Sequence, residues 1–437
     1  VFIDYKNDIQ QMNLNNGIPL LYKKNTENKT FSLYYILDMG TNNDRKLGMA
    51  IDYLQFLGTS KYTPAQVKEE FYKLGCNFQV FNSEEQVYVS LKGLADNFEK
   101  ALALFEHLLT NAKPNPEALT ELVEDILKTR ADAKLSKNEI LQGAMRNYAK
   151  YGPKSPYTNV LSEKELRKIK PTDLLGFISS INQYPHRILY YGPEPTETLN
   201  LTLNTYHITP KLPKAMPPAV EFPELETKEN TIYVVDYNMK QAEIISLSKG
   251  EIYNKNNATK IALFNEYFGG GMGSIVFQTM RESKALAYGV NATYGNPTYA
   301  NRSHYISSYI GTQADKLPEA MAGMEELINN IPHSENLFEG SKIAVEQKIR
   351  TERITKEAVL LNYEKAKKLG LDYDIRKDIF EQIQALKFAD IENFSKQYIK
   401  GKPSTRMVLG DKKSLDIKTL NQYGKVNYLT LKDVFGY

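Results

Sequence analysis

The chain has 437 residues, is 42% hydrophobic, and sets 55 Lys+Arg against 52 Asp+Glu with one cysteine. Charges this nearly cancelled exclude the strong basic field that nucleic-acid binding needs, and a lone cysteine excludes both an intrachain disulfide framework and a Cys-based zinc cluster. The length exceeds what one hydrophobic core usually serves, which predicts two domains.

No run approaches about 18 consecutive apolar residues, so no bilayer span is expected. There is no signal peptide pattern, and the chain opens on Val1. It is therefore expected to be a processed product or a piece of something longer. Its compartment stays open: a periplasmic or secreted setting and a cytoplasmic one are equally compatible with the cysteine content.

Taken in chain order, Thr63 is placed to cap a helix with Pro64 at its first position, and Val67, Glu70, Phe71 and Leu74 follow helical spacing. NFQVF and QVYVSL alternate as a hairpin does, with Cys76 just before them reading as a buried structural thiol. NFEKALALFEHLL follows as an amphipathic helix, and RILYYG closes the half on a strand ending at Gly192. Five of the 19 prolines then fall between Pro210 and Pro223, a density that no helix or central strand tolerates.

Beyond the prolines the same order returns: a helix through Phe277 and Met280, strands in YGVNATY and SHYISSYI, the helix KLPEAMAGMEELI, and a closing strand RMVLG at Gly410. Ala101 matches Ala320, about 219 residues on, and KTRADAKLSKNEILQGAMRNYAKYG answers KIRTERITKEAVLLNYEKAKKLG. These matches predict a duplicated α+β architecture, each repeat an antiparallel sheet packed with helices, rather than a doubly wound nucleotide fold. The expected boundaries are 1–209 for the first repeat, 210–228 for the Pro-rich linker and 229–437 for the second.

The glycine run Gly269, Gly270, Gly271 and Gly273 invites a phosphate-binding reading. A Walker loop needs GK[ST] where this chain has Gly-Ser-Ile, and a Rossmann fingerprint needs a preceding strand where IALFNEYF has helical periodicity. A tight turn allowing close approach accounts for the glycines. Arg281 and Tyr288 follow, seven residues apart, about two turns if the helix continues that far. A guanidinium and a phenol both donate hydrogen bonds and suit a peptide carbonyl or a developing oxyanion. By spacing alone, RESKALAY describes equally a surface helix with Glu282 as a local ion partner.

The five histidines are His107, His186, His207, His304 and His333, and no two share a helical turn. Glu106 and His107 are adjacent and point to different helix faces, whereas a ligand pair needs a spacing of three or four. No HExxH, HxxEH or GxSxG motif occurs, so neither a self-contained zinc site nor a serine nucleophile is expected. Thirty tyrosines without a tryptophan fit either a peptide-binding cavity or half-buried strand and interface positions.

Over nearly its whole length the chain resembles the pitrilysin/insulinase metallopeptidase family, the inverzincins. The resemblance is carried by YFGGGMGSIVFQTMRESKALAYGV with its Arg-x6-Tyr segment, by VVDYNMKQAEIISLS before it, and in the first half by NNGIPLLYKKN, ILDMGTNNDRKLGMAIDYLQFLGT and YGPKSPYTNVL. One departure decides what it implies. Where catalytic members carry HxxEH between Gly48 and Gly58-Thr59, this chain reads MAIDYLQFL, with Asp52 as its only carboxylate and Gln55 in place of a ligand. The family's third ligand, a glutamate about 75 residues on, falls at Thr129, with Glu124 nearby. Zinc needs three protein ligands and an open position, and the imidazoles are gone.

The resemblance implies a resolution. Family members enclose substrate in a clamshell of two similar halves, of which one carries zinc and the other, with a degenerate motif, supplies an Arg and a Tyr that hold substrate backbone and stabilise the tetrahedral intermediate. It implies that this chain is the zinc-less half: no metal and no cofactor of its own, zinc in a partner carrying HxxEH, a peptide as substrate, Arg281 and Tyr288 as catalytic and substrate-binding residues, and Gly270 and Gly271 beside them. It would be inactive alone. It is either a separate subunit or, as the Val1 start favours, the C-terminal half of a longer polypeptide; an inactive scaffold or peptide-binding subunit of the same fold is the alternative.

Overall fold

Twelve strands divide evenly between two sheets. The first sheet holds β1 (Gln10–Asn13), β2 (Pro19–Lys24), β3 (Thr30–Leu37), β4 (Cys76–Asn82), β5 (Val87–Leu94) and β6 (Arg187–Gly192); the second holds β7 (Thr231–Asp236), β8 (Gln241–Ile252), β9 (Gly289–Gly295), β10 (Ser303–Gln313), β11 (Thr405–Gly410) and β12 (Lys425–Leu429). This computed structural model describes residues 2–437. The spatial orders are β1-β2-β6-β3-β5-β4 and β12-β7-β11-β8-β10-β9, so five strands of each sheet repeat one order.

The architecture is α+β, but the sheets are mixed rather than antiparallel as expected. The closing strand of each half crosses back after a run of helices and lies parallel to the opening strand, β6 beside β2 and β11 beside β7. A parallel neighbour needs such a long crossover. The sixth strand of each sheet comes from opposite ends of the chain: β1 precedes β2 and pairs antiparallel, while β12 follows β11 and pairs parallel to β7.

Each sheet is buried on both faces. In β3 the odd residues Phe31, Leu33, Tyr35 and Leu37 join a core with the helices of their own half, including Phe98–Asn111. The even residues Tyr34 and Ile36 face Val359, Leu360 and Ala366 of the helix Ala358–Lys368, which belongs to the second half. The exchange is reciprocal: Ile140, Leu141, Ala144 and Met145 of the first half cover Ile245, Leu247, Met407 and Leu409 of the second sheet. These covering segments are the two long stretches that match one another in sequence. Period-2 alternation with apolar residues on both sides is what such a doubly covered strand requires.

Charged groups ring this exchange. Arg187 on β6 donates to Asp38 Oδ2 at 2.7 Å and to both carboxylate oxygens of Glu364, and Arg302 pairs with Glu85 across the halves. Residues 209–230 form no helix or strand; their backbone docks instead, Val220 N–H on Asn42 O and Leu225 N–H on Lys150 O. The helix Pro64–Lys73 starts as its sequence predicts, with Thr63 and Gln66 forming a reciprocal capping box. Cys76 is buried, and burial pushes its thiol up, away from the reactive thiolate. Among the described residues no helix is long and apolar enough to cross a membrane.

Candidate functional site

The helix Leu47–Tyr53 carries the stretch MAIDYLQFL into the first core: Leu47, Met49, Ala50, Ile51, Tyr53 and the following Leu54 are buried. Asp52 is half-buried and accepts a hydrogen bond from Asn82 Nδ2 at 3.1 Å on the edge strand β4. Burial raises its carboxyl above the usual range, with the Asn82 bond opposing. Gln55 is exposed and reaches only back toward its own helix, at Asp52 O.

Thr129 is exposed on the helix Pro116–Ala133. Glu124, one turn earlier, is likewise exposed and engaged with Arg167 Nη1 at 2.5 Å. Among the described residues no group of three or more His, Cys, Asp or Glu is arranged to hold a metal ion. The residues present do not fit zinc.

In the second half the glycine turn has a steric cause at two positions, Gly269 against β9 and Gly270, where a Cβ would lie 2.5 Å from Asn265 O. A Cβ on Gly269 would lie 2.1 Å from Ala292 O on β9, whereas one on Gly271 or Gly273 meets nothing within 4 Å. Gly269 alone therefore lets the turn lie against the strand, and the Gly270–Gly273 segment is exposed beyond it. Gly269→Ala is expected to cost about 2 kcal/mol or more, because backbone must move; Gly271→Ala is expected to change stability by under about 0.5 kcal/mol. Urea unfolding of the two variants makes the comparison.

Ser274 caps the helical turn Ile275–Phe277, which runs on as a wider helix over Gln278–Ser283. Here the structure corrects the sequence reading. The helix ends at Ser283, Ala285 turns the chain with φ of 48°, and β9 begins at Gly289. Arg281 and Tyr288 therefore stand on either side of a turn, not on one helix face. The Arg281 side chain is half-exposed, its guanidinium 5.0 Å from the Phe277 ring centre and 3.8 Å from Glu282.

Tyr288 packs against Gly311, where an added Cβ would lie 2.8 Å from its ring. Its hydroxyl is 3.3 Å from Glu243 Oε1 on β8, and Lys137 of the first half is 3.5 Å from the same oxygen. Burial first, and then the Glu243 charge, raise the phenol above its ordinary value, so it remains a hydrogen-bond donor at neutral pH. The site thus offers a half-exposed guanidinium and a neutral phenol oriented by a carboxylate.

Two polypeptide-family models match. Insulinase (peptidase family M16) covers residues 21–154 and the peptidase M16 inactive domain covers residues 188–343, together more than half of the chain. This chain belongs to the insulinase family, M16. It is similar to an uncharacterized zinc protease of Rickettsia bellii, 24% identical over 88% of this chain and 94% of that protein. It is similar also to the non-peptidase homolog YmxG of Helicobacter pylori, 22% identical over 91% and 92%.

Among solved structures, a peptidase M16 inactive domain from Pseudomonas fluorescens matches with a TM-score of 0.72 at 17% identity, over 92% of this chain and 98% of that one. The periplasmic protease PqqL from Escherichia coli matches with a TM-score of 0.73 at 14% identity, over 94% of this chain but 46% of that one. The fold of this M16 chain is therefore shared both by chains of its own length and by part of a chain about twice as long.

The histidines hold a constellation that their spacing concealed. His186 Nε2 and His207 Nε2 are 2.8 Å apart, His186 Nδ1 meets Tyr184 O at 2.7 Å, and His207 Nδ1 meets Glu106 Oε1 at 2.7 Å. Tyr35 and Asn182 complete the Glu106 carboxylate at 2.6 and 2.5 Å. Tyr184 O can only accept, which places the hydrogen of His186 on Nδ1 and leaves its Nε2 to accept from His207 Nε2. The cluster is closed on itself. With its ring nitrogens turned on one another, it leaves no place for a metal.

Burial, and then the neighbouring His207, push His186 down to about 4 from 6.5. An unfolded chain protonates this ring below about 6.5 while the folded chain resists until about 4, so the unfolded state binds more protons in that window. Stability is expected to be full above pH 6.5 and to fall by up to about 3 kcal/mol as pH drops through the window. Urea midpoints between pH 7 and pH 4.5 check this, with His186→Gln expected to flatten the curve.

Proposed function

We propose that this M16 chain is the zinc-less half of a pitrilysin-like peptidase, contributing substrate-binding and transition-state-stabilising groups to peptide hydrolysis by a half that carries HxxEH. Residues 1–209 and 229–437 are its two repeats, joined by the segment 210–228. The reading is supported by a contrast within one chain: the helix Leu47–Tyr53, where the resemblance sets the metal motif, packs Ile51 and Tyr53 into the core, while Arg281 stays half-exposed and Tyr288 stays oriented on Glu243.

The division of labour follows from the chemistry. A half that carries HxxEH would hold the zinc, and the metal would supply Lewis-acid activation of the scissile carbonyl and of water there. Arg281 supplies donors for the substrate backbone and the oxygen that becomes negative, and Tyr288 donates there when its one proton turns from Glu243, whose charge Lys137 offsets. Glu243 and Lys137 hold the phenol in place. Gly270 and Gly271, exposed and without side chains, let an extended peptide pass close to the turn. The 46% share of PqqL supports a half-molecule role, since a protease of that length has room for a second such half.

A second reading draws on the Helicobacter relative, which bears the name of a non-peptidase homolog. In it the fold serves assembly or peptide binding only. The two separate on hydrolysis by the assembled pair, which the second reading expects to be absent. Purified alone, the chain is expected to contain no stoichiometric zinc; co-expressed with the HxxEH-bearing M16 chain of the same genome, it is expected to copurify as a pair holding one zinc. Zinc bound tightly by this chain alone would overturn the reading.

A further inference from the structure

The internal duplication supplies a control for a cavity in the second half. Aligning the closing strands on Gly192 and Gly410 sets Ile188 against Arg406. The registers then match residue for residue: Tyr35 lies opposite Ile188 and Val89, as Ser246 lies opposite Arg406 and Ser308. In the first half Tyr35, Val89 and Ile188 are fully buried and fill their layer. In the second half two serines and an arginine leave a partly enclosed cavity of about 130 Å³ between the sheet and the helix Leu317–Asn329.

The match extends to the acid. Glu106 and Glu325 keep the spacing of Ala101 and Ala320. Glu106 is buried and saturated by Tyr35, His207 and Asn182. The Glu325 side chain is 42% exposed at the cavity, and its carboxylate stands 3.6 Å from Arg406, beyond hydrogen-bond length.

Arg406 has a side chain only 11% exposed and donates one bond, Nη1 to Tyr423 O at 2.6 Å. A guanidinium has five donors; beyond this bond Arg406 has the long ion pair to Glu325 and the Tyr423 ring at 5.6 Å, which leaves donors free for a further partner. Burial pushes this guanidinium down. Around it Ile244, Met321 and Met324 supply the apolar part of the wall, Asn230, Ser248 and Ser404 a polar part, and Lys402 adds a second cation.

We infer that this cavity binds a small carboxylate with a short branched apolar body, its carboxylate on Arg406 and the Ser246 and Ser308 hydroxyls and its body against the Ile and Met wall. A planar carboxylate matches the guanidinium fork. A dianionic phosphate does not suit a partly apolar wall with one buried cation. The cavity is partly open, and a short branched acid such as 4-methylpentanoate sets its carboxylate inside with its body toward the mouth. The carboxylate comes from a free acid or from the C-terminus of a leucine-ended peptide.

Calorimetry and thermal unfolding of the full chain test this with 4-methylpentanoate, its amide, and Ala-Ala-Leu with a free or amidated end. The acid, the free-ended peptide or both are expected to bind with a dissociation constant of about 1 mM or tighter and raise Tm. Each amide is expected to bind at least about tenfold more weakly, for loss of the charged contact. The double variant Ser246→Val with Ser308→Val fills the cavity as the first half does. It is expected to fold and to lose binding, and Arg406→Met is expected to lose it too. No heat and no Tm rise from either carboxylate at about 10 mM would overturn the proposal, as would amides that bind equally or undiminished binding by the filled variant.

Discussion

Arg281→Ala is expected to lower kcat/KM of the reconstituted pair about a hundredfold or more, with zinc content, pairing and Tm unchanged. A donor aimed at a developing oxyanion is worth about a hundredfold to a thousandfold when removed. The half-exposed side chain makes no bond that the fold depends on, only the stacking on Phe277 and the 3.8 Å approach to Glu282. A surface residue of that kind usually changes stability by under about 0.5 kcal/mol. Activity and stability thus part company in this variant, and Arg281→Lys is expected to recover only part of the loss, since an ammonium lacks the fork. Steady-state kinetics on an internally quenched peptide reads the effect; an unchanged rate would remove Arg281 from the mechanism.

Glu106→Gln is expected to be the most destabilising of the substitutions considered, by about 3–5 kcal/mol, the usual cost of leaving a buried charge without its partner. Glu106 is 5% exposed and accepts from Tyr35, His207 and Asn182 at once. An amide presents one acceptor oxygen and turns two hydrogens toward groups that also donate. Tyr35, His207 and Asn182 then compete for one acceptor in a buried site. Urea unfolding measures it, and a loss below about 1 kcal/mol would mean that the cluster is not the closed network its geometry describes.

The duplication was legible because the same residue types recur at one offset: a capped helix, a hairpin, an amphipathic helix and a strand ending in glycine. Strand direction was not, since period-2 alternation is the same for parallel and antiparallel neighbours. Nor was the exchange of covering helices, because an amphipathic face announces burial without naming what buries it. The break before Tyr288 escaped because RESKALAY is made largely of good helix formers, and the turn falls on Ala285, with φ of 48°, rather than on a glycine.

MAIDYLQFL visibly lacks histidine; the structure adds that Ile51, Tyr53 and Leu54 are core residues, while Asp52 stays half-buried and Gln55 exposed. His186, His207 and Glu106 were unreadable by spacing, being brought together from 21 and 101 residues apart. One signal did exist. Glu106 sits on the apolar face of its helix among Leu102, Phe105 and Leu109, and a carboxylate there calls for buried partners.

The most direct measurement is cleavage of a peptide by the HxxEH-bearing chain with and without this one. The account predicts that neither chain cleaves alone, that equimolar mixing restores hydrolysis, and that the restored rate falls when Arg281→Ala replaces the natural chain. Hydrolysis by the zinc-bearing chain at the same rate in the absence of this one would contradict it.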